Sequence, residues 1–377
     1  MQQYNLFATT SRGLEQALAW ELGHIGVKNP QIVSGGVQFE GDQETYYRAN
    51  LYLRTAIRVL LKIKDFPCES YDELYARCRD IDWLEYLGLS NTLAVDCNCR
   101  NSALTHSQYG SRKVKDAIVD QFRDKTGRRP DVDAKSPDVR INAHIFNNHC
   151  TLSLDTSGES LHLRGYRKLI KEAPMKETLA AGIIDYSGWD CNVPLYDPMC
   201  GSGTILIEAV LKAANVAPGL LRREFGFHRW RSFDRALWQK LVNEAEQKVK
   251  RNVTCRLYGS DIDADAVRTA SENARAAALV DRFIKFEVMD VMQFHPQADS
   301  GVIITNPPYG ERMGEKENLK DFYKGFGDVL KHNCKGHTAF LLIGDTELVK
   351  SVGLRTSQKL IVYNGPIECR LAKFDVY

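Results

Sequence analysis

The chain has 377 residues, with 50 Lys and Arg against 48 Asp and Glu, for a formal net charge of +2. That length suits two or three domains, and so even a balance means that any basic footprint for nucleic acid must be local. The ten cysteines include no C-x-x-C pair, so no metal site is expected and the thiols read as the reduced ones of a cytoplasmic protein; the polar start and the lack of a long apolar run predict neither a secretory leader nor a membrane span.

In chain order, Tyr4 to Thr10 reads as a strand, and Leu14, Leu18 and Leu22 stand at helical spacing. Residues 31–39 read as one further strand, Thr45 to Leu53 as a helix and Ala56 to Lys64 as a strand. This alternation predicts a small ferredoxin-like α+β unit over residues 1–65. Residues 66–160 repeat it: a helix over Tyr71 to Arg79, a strand over Thr92 to Cys97, and a helix over Tyr109 to Lys125 with Val114, Ile118 and Phe122 inward. Two paired strands then flank Phe146-Asn147-Asn148-His149. Arg112, Lys113 and Lys115 on the helix, with Arg128 just after it, form a cluster able to neutralise phosphates. Asp116, Asp120 and Asp124 lie among them, so a solvated mixed-charge face is the alternative.

An Arg-rich turn, Leu161-His162-Leu163-Arg164-Gly165-Tyr166-Arg167, precedes a helix with Pro174 near its first turn; its arginines can also be read as a solvated loop. Leu195-Tyr196-Asp197-Pro198-Met199-Cys200-Gly201-Ser202-Gly203-Thr204 then passes from strand to glycine loop to helix. The loop is neither a dinucleotide fingerprint nor a P-loop. It suits a cofactor without phosphate, such as S-adenosylmethionine, with Asp197 facing the cationic methionyl end. Cys200 reads as a small packing residue of the loop rather than a nucleophile.

The interval from Gly203 to Asp261 far exceeds the roughly 20 residues of a compact unit. The excess, an insertion over about 218–251, carries nine basic and four acidic residues interleaved with aromatics. Arg229, Trp230 and Arg231 are its candidates for gripping phosphate and stacking on bases; a hairpin packed through its Trp residues is the alternative. Asp261 ends the next strand, where an acid can accept from ribose hydroxyls, with Ile262 against the adenine face. Asp263 is expected to cap the following helix. Asp290, at the next strand end, is a candidate for the adenine amino group or a plain turn acid.

The strand Gly301 to Thr305 then ends in Asn306-Pro307-Pro308-Tyr309. Two prolines force the chain out of the sheet. The Asn306 side-chain oxygen and the Pro307 carbonyl can accept from one exocyclic amine, and Tyr309 can stack on the ring that carries it. That constellation suits methylation of a planar amino group.

Glycine loop, acid, second acid and Asn-Pro-Pro-Tyr, in that order, resemble the class I S-adenosylmethionine-dependent methyltransferases. With the Arg-rich turn and the run on to Arg312, the chain looks like the bacterial family of 23S ribosomal RNA guanine-N2 methyltransferases. The resemblance implies a Rossmann-like α/β methyltransferase domain over 161–377, preceded by the ferredoxin-like unit and by an RNA-binding THUMP domain over 66–160. It implies that Asn306 and Pro307 grip a guanine amine in 23S rRNA while Tyr309 stacks on the base. It further implies that Ala173, Pro174 and Thr178 line the S-adenosylmethionine pocket, and that Arg312 contacts RNA or closes the loop. Rival readings are a tRNA guanine-N2, adenine-N6 or glutamine-N5 methyltransferase, or a non-catalytic ribosome-assembly factor on the same fold.

Overall fold

A computed structural model describes residues 2–167, 175–277, 281–308 and 316–377. The first half is built from β1 (Tyr4–Thr10), α1 (Glu15–His24), β2 (Gln31–Val33), β3 (Gly36–Gly41), α2 (Gln43–Tyr52), β4 (Ala56–Pro67), α3 (Tyr71–Arg79), β5 (Thr92–Arg100), α4 (Ser107–Thr126), β6 (Asp131–Val132), β7 (Val139–Phe146) and β8 (His149–Asp155). Residues 31–39 form two strands rather than the expected one. Gly35, at φ +80, makes a left-handed turn there that a continuous strand cannot contain. Asn147 and Asn148, both at positive φ, close the β7–β8 hairpin in two residues, the geometry that matches strand twist.

These strands form a single eight-stranded sheet in the order β2-β3-β1-β4-β8-β7-β5-β6. The boundary expected near residue 65 falls inside β4, whose register on β8 runs from Leu60↔Asp155 to Pro67↔His149. The sheet therefore welds the two α+β units. Alternation along β7 turns Val139, Ile141, Ala143 and Ile145 into the core. They join Leu74, Val114, Ile118 and Phe122 from α3 and α4, and Gln121 staples that layer by donating to the Arg79 and Ile81 carbonyls and accepting from Trp83 N–H.

The second half comprises α5 (Glu177–Ser187), β9 (Leu195–Asp197), α6 (Thr204–Ala213), α7 (Arg235–Gln247), β10 (Leu257–Asp261), α8 (Ala264–Ala276), β11 (Ile284–Val288), β12 (Gly301–Thr305), α9 (Lys316–Asn333), β13 (His337–Ile343), α10 (Thr346–Ser351), β14 (Thr356–Asn364) and β15 (Ile367–Asp375). The strand order is β11-β10-β9-β12-β13-β15-β14. The first five are parallel, and β15 is antiparallel to both its neighbours. The order reverses between β9 and β12, so the crevice for a ligand opens beyond the carboxyl ends of those two strands.

The Arg-rich turn and the insertion are among the contacts that join the halves. The Arg-rich turn is not a solvated loop. Arg164 is 1% exposed, donates to the Leu161 and Arg54 carbonyls and faces Glu208 of α6 at 3.6 Å. The 218–251 insertion folds back on α2: Tyr47 packs on Phe227 with ring centroids 4.4 Å apart, its hydroxyl accepts from Asp234 N–H, and Arg48 pairs with Glu244. Trp230 lies 7% exposed in the core of the first half. The expectation that Trp230 stacks on a base is thereby corrected, because its ring faces are spent on protein packing.

Candidate active site

At the switch point, β9 delivers Asp197 and β12 delivers Thr305 to adjacent strand ends. Thr305 Oγ1 donates to Asp197 Oδ1 at 2.7 Å, and Met199 N–H donates to the same oxygen at 3.3 Å. Oδ2 is left unengaged among the described residues. Burial pushes the Asp197 carboxyl up to about 7; the Thr305 bond opposes the rise and the negative Asp261 adds to it. A cation brought against Asp197 would favour its ionised form.

The glycine loop follows. Gly201, at φ +53, has nothing near the position a Cβ would take, so its face lies open to a ligand. Gly203, at φ +79, opens α6, and a Cβ there would meet Ala270 at 3.0 Å and Phe286 at 3.2 Å. The loop is held by Asp261: its Oδ2 accepts from Gly201 N–H at 2.9 Å, while Oδ1 accepts from Asp263 N–H. A carboxylate has about four acceptor directions, so Asp261 keeps capacity for a ligand hydroxyl. Ile262 stands beside it, 70% exposed. Asp263 caps α8 as expected. Asp290 accepts from Met292 N–H and starts a short turn. Cys200 is buried, and burial together with Asp197 and Asp261 keeps its thiol protonated, which suits packing rather than nucleophilic attack.

Asn306 and Pro307 come directly after β12. The Asn306 Oδ1 atom is buried and has no hydrogen-bond partner among the described residues. A buried acceptor left in this state costs about 1–3 kcal/mol, a cost that a donor brought by a ligand would remove. Tyr323 of α9 donates to the Pro308 carbonyl at 3.2 Å and steadies the turn. Tyr309 and Arg312 lie outside the described residues, as do Ala173 and Pro174.

Thr178 is fully buried on α5, with its hydroxyl unpartnered among the described residues. Arg167 ties this segment to the loop: it donates to Thr204 Oγ1 at 2.8 Å and the Met175 carbonyl at 2.9 Å, and faces Glu177 at 3.5 Å. Thr305 and Arg167 were missed as site residues. Arg167 stood in a motif that signalled it; Thr305 had no signal beyond its place before Asn306.

The surface candidates are dispersed. On α4, Lys113 pairs with Asp72 and Lys115 with Asp116, while Arg112 is exposed; Arg128 is exposed beyond the helix. Arg229 pairs with Asp138 and Glu224, and Arg231 donates to the Leu84 carbonyl. The structure does not bring these groups to the crevice of Asp197 and Asn306.

Among known proteins, a model described as an RMKL-like methyltransferase domain matches residues 164–373, a THUMP domain model residues 68–155, and an RlmL ferredoxin-like domain model residues 5–60. The chain is 43% identical to the protein named "Putative RNA methyltransferase slr0064" of Synechocystis, over 98% of this chain and 96% of the other. It is 42% identical to the ribosomal RNA large subunit methyltransferase K/L of Syntrophotalea carbinolica over 98% of this chain, but it spans only 53% of that relative's length. The solved structure of "SMU.472, a putative methyltransferase complexed with SAH" superposes with a TM-score of 0.91 at 32% identity, covering 100% of this chain and 99% of that one.

Proposed function

The chain belongs to the RMKL-like methyltransferase family, and we propose that it transfers a methyl group from S-adenosylmethionine to the exocyclic N2 of a guanine in 23S ribosomal RNA, in the cytoplasm. One observation carries the chemistry: the buried Asn306 Oδ1 beside Pro307 at the switch point, unpartnered among the described residues. It is an acceptor waiting for a donor, and an amine on a planar base supplies one. The names of the relatives support an RNA target; the choice of guanine N2 rests on the end-to-end family resemblance, in which the N-terminal domains narrow an amine that Asn-Pro-Pro-Tyr alone leaves open.

The residues fit the cofactor. Asp197 would hold its cationic end, Asp261 its ribose and Ile262 its adenine, over the open face of Gly201; the Cys200 to Thr204 loop and Thr178 would form its walls. We assign Asp290 to the adenine amino group and, by the family resemblance, Ala173 and Pro174 to the pocket lining with Thr178. When bound, the cofactor supplies an electrophilic methyl on sulfonium sulfur. Asn306 Oδ1 and the Pro307 carbonyl accept from the guanine amine, orient its lone pair and stabilise the positive charge that develops on nitrogen. Tyr309 stacks on the base, which must leave its helix or lie in a loop to enter. The methyl carbon would be taken by the N2 lone pair while its bonding pair stayed on sulfur, and N2 would then lose its proton to water. Proximity supplies much of the acceleration. In this reading the N-terminal half and the insertion packed on it hold the RNA, with Arg112, Lys113, Lys115, Arg128, Arg229 and Arg231 as phosphate contacts, and Arg312 contacts RNA or closes the loop.

Methyl transfer from labelled cofactor to rRNA, followed by nucleoside digestion, tests the reading. Label in N2-methylguanosine from the parent chain, with loss in Asn306→Ala at retained cofactor binding, is the expected result. Label in another nucleoside, or full turnover by Asn306→Ala, would sink it.

A further inference from the structure

One face of the N-terminal eight-stranded sheet carries the helices; the other is open. A groove of about 1760 Å³ runs along that open face. Its floor is set by register, in cross-strand rows: His144 lies between Asn98 and Thr151, Phe146 between Arg100 and His149, and Ser153 between Asn142 and Lys62. Alternation therefore places every second residue of β5, β7 and β8 on one surface. The floor crosses the β4–β8 seam to Phe7 and Gln38.

The composition of this face is unusual for a solvated sheet. Phe146 is 44% exposed, and its ring lies parallel to that of His144, with an interplanar angle of 12°. Side-chain amides surround the rings, and Arg12, Lys28, Arg58, Lys62 and Arg100 line the groove against Glu40, Asp42 and Asp65. Asp65 is taken by Lys62 and His149, whereas Arg100 and Lys28 form no ion pair among the described residues. The lining residues all fall in the N-terminal half, and the groove's end at Arg12 borders the second half. Arg12 lies over the Tyr363 ring of β14 at 5.9 Å, and Tyr186 of α5 donates to the Gly13 carbonyl.

We infer that this open sheet face, shared by both N-terminal units, is a platform for an unpaired RNA segment. Aromatic rings flush with a sheet stack on bases, amides read base edges, and separated arginines meet phosphates. A duplex hides its base faces and leaves such rings without partners. Eight strands at about 4.8 Å spacing span roughly 34 Å, room for a strand of several nucleotides. The inference rests on the RNA-methyltransferase reading for its substrate class. It goes beyond that reading in carrying the RNA from the α4 side onto the open face of the sheet.

The test uses the full chain and a fluorescein-labelled, mixed-sequence 12-nucleotide RNA, alone and annealed to its complement, read by fluorescence anisotropy. The double variant Arg100→Ala/Phe146→Ala is expected to bind the single strand about tenfold or more weakly, with an unchanged melting temperature and an unchanged S-adenosylhomocysteine-induced shift. The α4 variant Arg123→Ala/Lys125→Ala, whose charges face Asp120 and Asp82, should lose less than about twofold. Equal binding by the groove variant, a loss confined to the α4 variant, no binding of the strand by the parent, or equal affinity for the duplex each overturns the proposal. A parent that binds through the groove but methylates no RNA refutes the catalytic reading and keeps the groove. One that methylates RNA while binding independently of Arg100 and Phe146 refutes the groove alone.

Discussion

Thr305 Oγ1 donates a 2.7 Å hydrogen bond to Asp197 Oδ1, joining the ends of the two strands between which the sheet reverses direction. The same strand that presents Asn306 to the proposed amine thus also fixes the carboxylate proposed to meet the cofactor. One side of the site cannot shift without moving the other.

Removing that bond should weaken cofactor binding in a pH-dependent way. Asp197 sits near 7 in the free chain because of burial, and Thr305 holds it down. A cationic ligand favours the carboxylate, so affinity for S-adenosylhomocysteine, through its ammonium, should fall as pH drops below about 7. In Thr305→Val the fall should begin at higher pH, at a stability cost of about 1–2 kcal/mol. Calorimetric titrations between pH 5.5 and 8.5 check this; superimposable pH profiles would refute it.

Arg167 should matter as a positioning residue. It holds Thr204, Met175 and the buried Glu177 together, and Arg167→Ala leaves Glu177 buried without its cation. We expect a loss of about 3–5 kcal/mol in stability. Arg167→Lys keeps the charge but not the fork, so it should recover part of the stability while S-adenosylhomocysteine binding stays weak. Denaturant melts and binding titrations on the two variants separate charge from geometry.

Glu21 is buried at the junction, where it accepts from Arg54 N–H, Thr55 N–H and the Thr55 hydroxyl. Burial nonetheless pushes it up to about 7. A carboxyl raised in the folded chain holds its proton after the unfolded chain has lost it. It therefore subtracts stability as pH climbs from about 4.5 to about 7. His162 and His228, pushed down to about 4 by burial, act in the opposite sense below about 6.5. The comparison of Glu21→Gln with the parent cancels them. The melting temperature of the variant relative to the parent should rise between pH 5 and pH 7.5, and a flat difference would count against a raised Glu21.

The insertion should act as a clamp on α2. Phe227→Ala removes a fully buried ring from the Tyr46–Tyr47 cluster and should cost about 3–5 kcal/mol. Trp230→Phe keeps most of the packing, so RNA affinity should stay at the parent value. A specific loss of RNA binding in Trp230→Phe, at unchanged melting temperature, would return Trp230 to the RNA interface.

Much of the site was legible because its residues are contiguous. A strand that ends in Asp, then a glycine loop, or in Asn-Pro-Pro, declares its geometry locally: prolines end a ladder and glycines permit positive φ. Asp261 was placed at a strand end, but its hold on Gly201 lies 60 positions away in sequence and leaves no local trace. The basic and aromatic residues of the insertion misled for a related reason. Composition alone does not tell a buried Trp230 from one offered to a base, since both need the same side chain.

The sequence by itself determined most of the order of strands and helices, the turns at Gly201 and Gly203, and the chemistry offered at Asn306. Each of these follows from backbone preferences and side-chain types acting over a few residues. Only the tertiary structure decided that two small units share one sheet through β4 and β8, that Thr305 and Arg167 hold the site, and that Asn98, Arg100, His144 and Phe146 stand on one open face. Those outcomes depend on pairing register and burial between segments far apart in the chain, which no local pattern encodes.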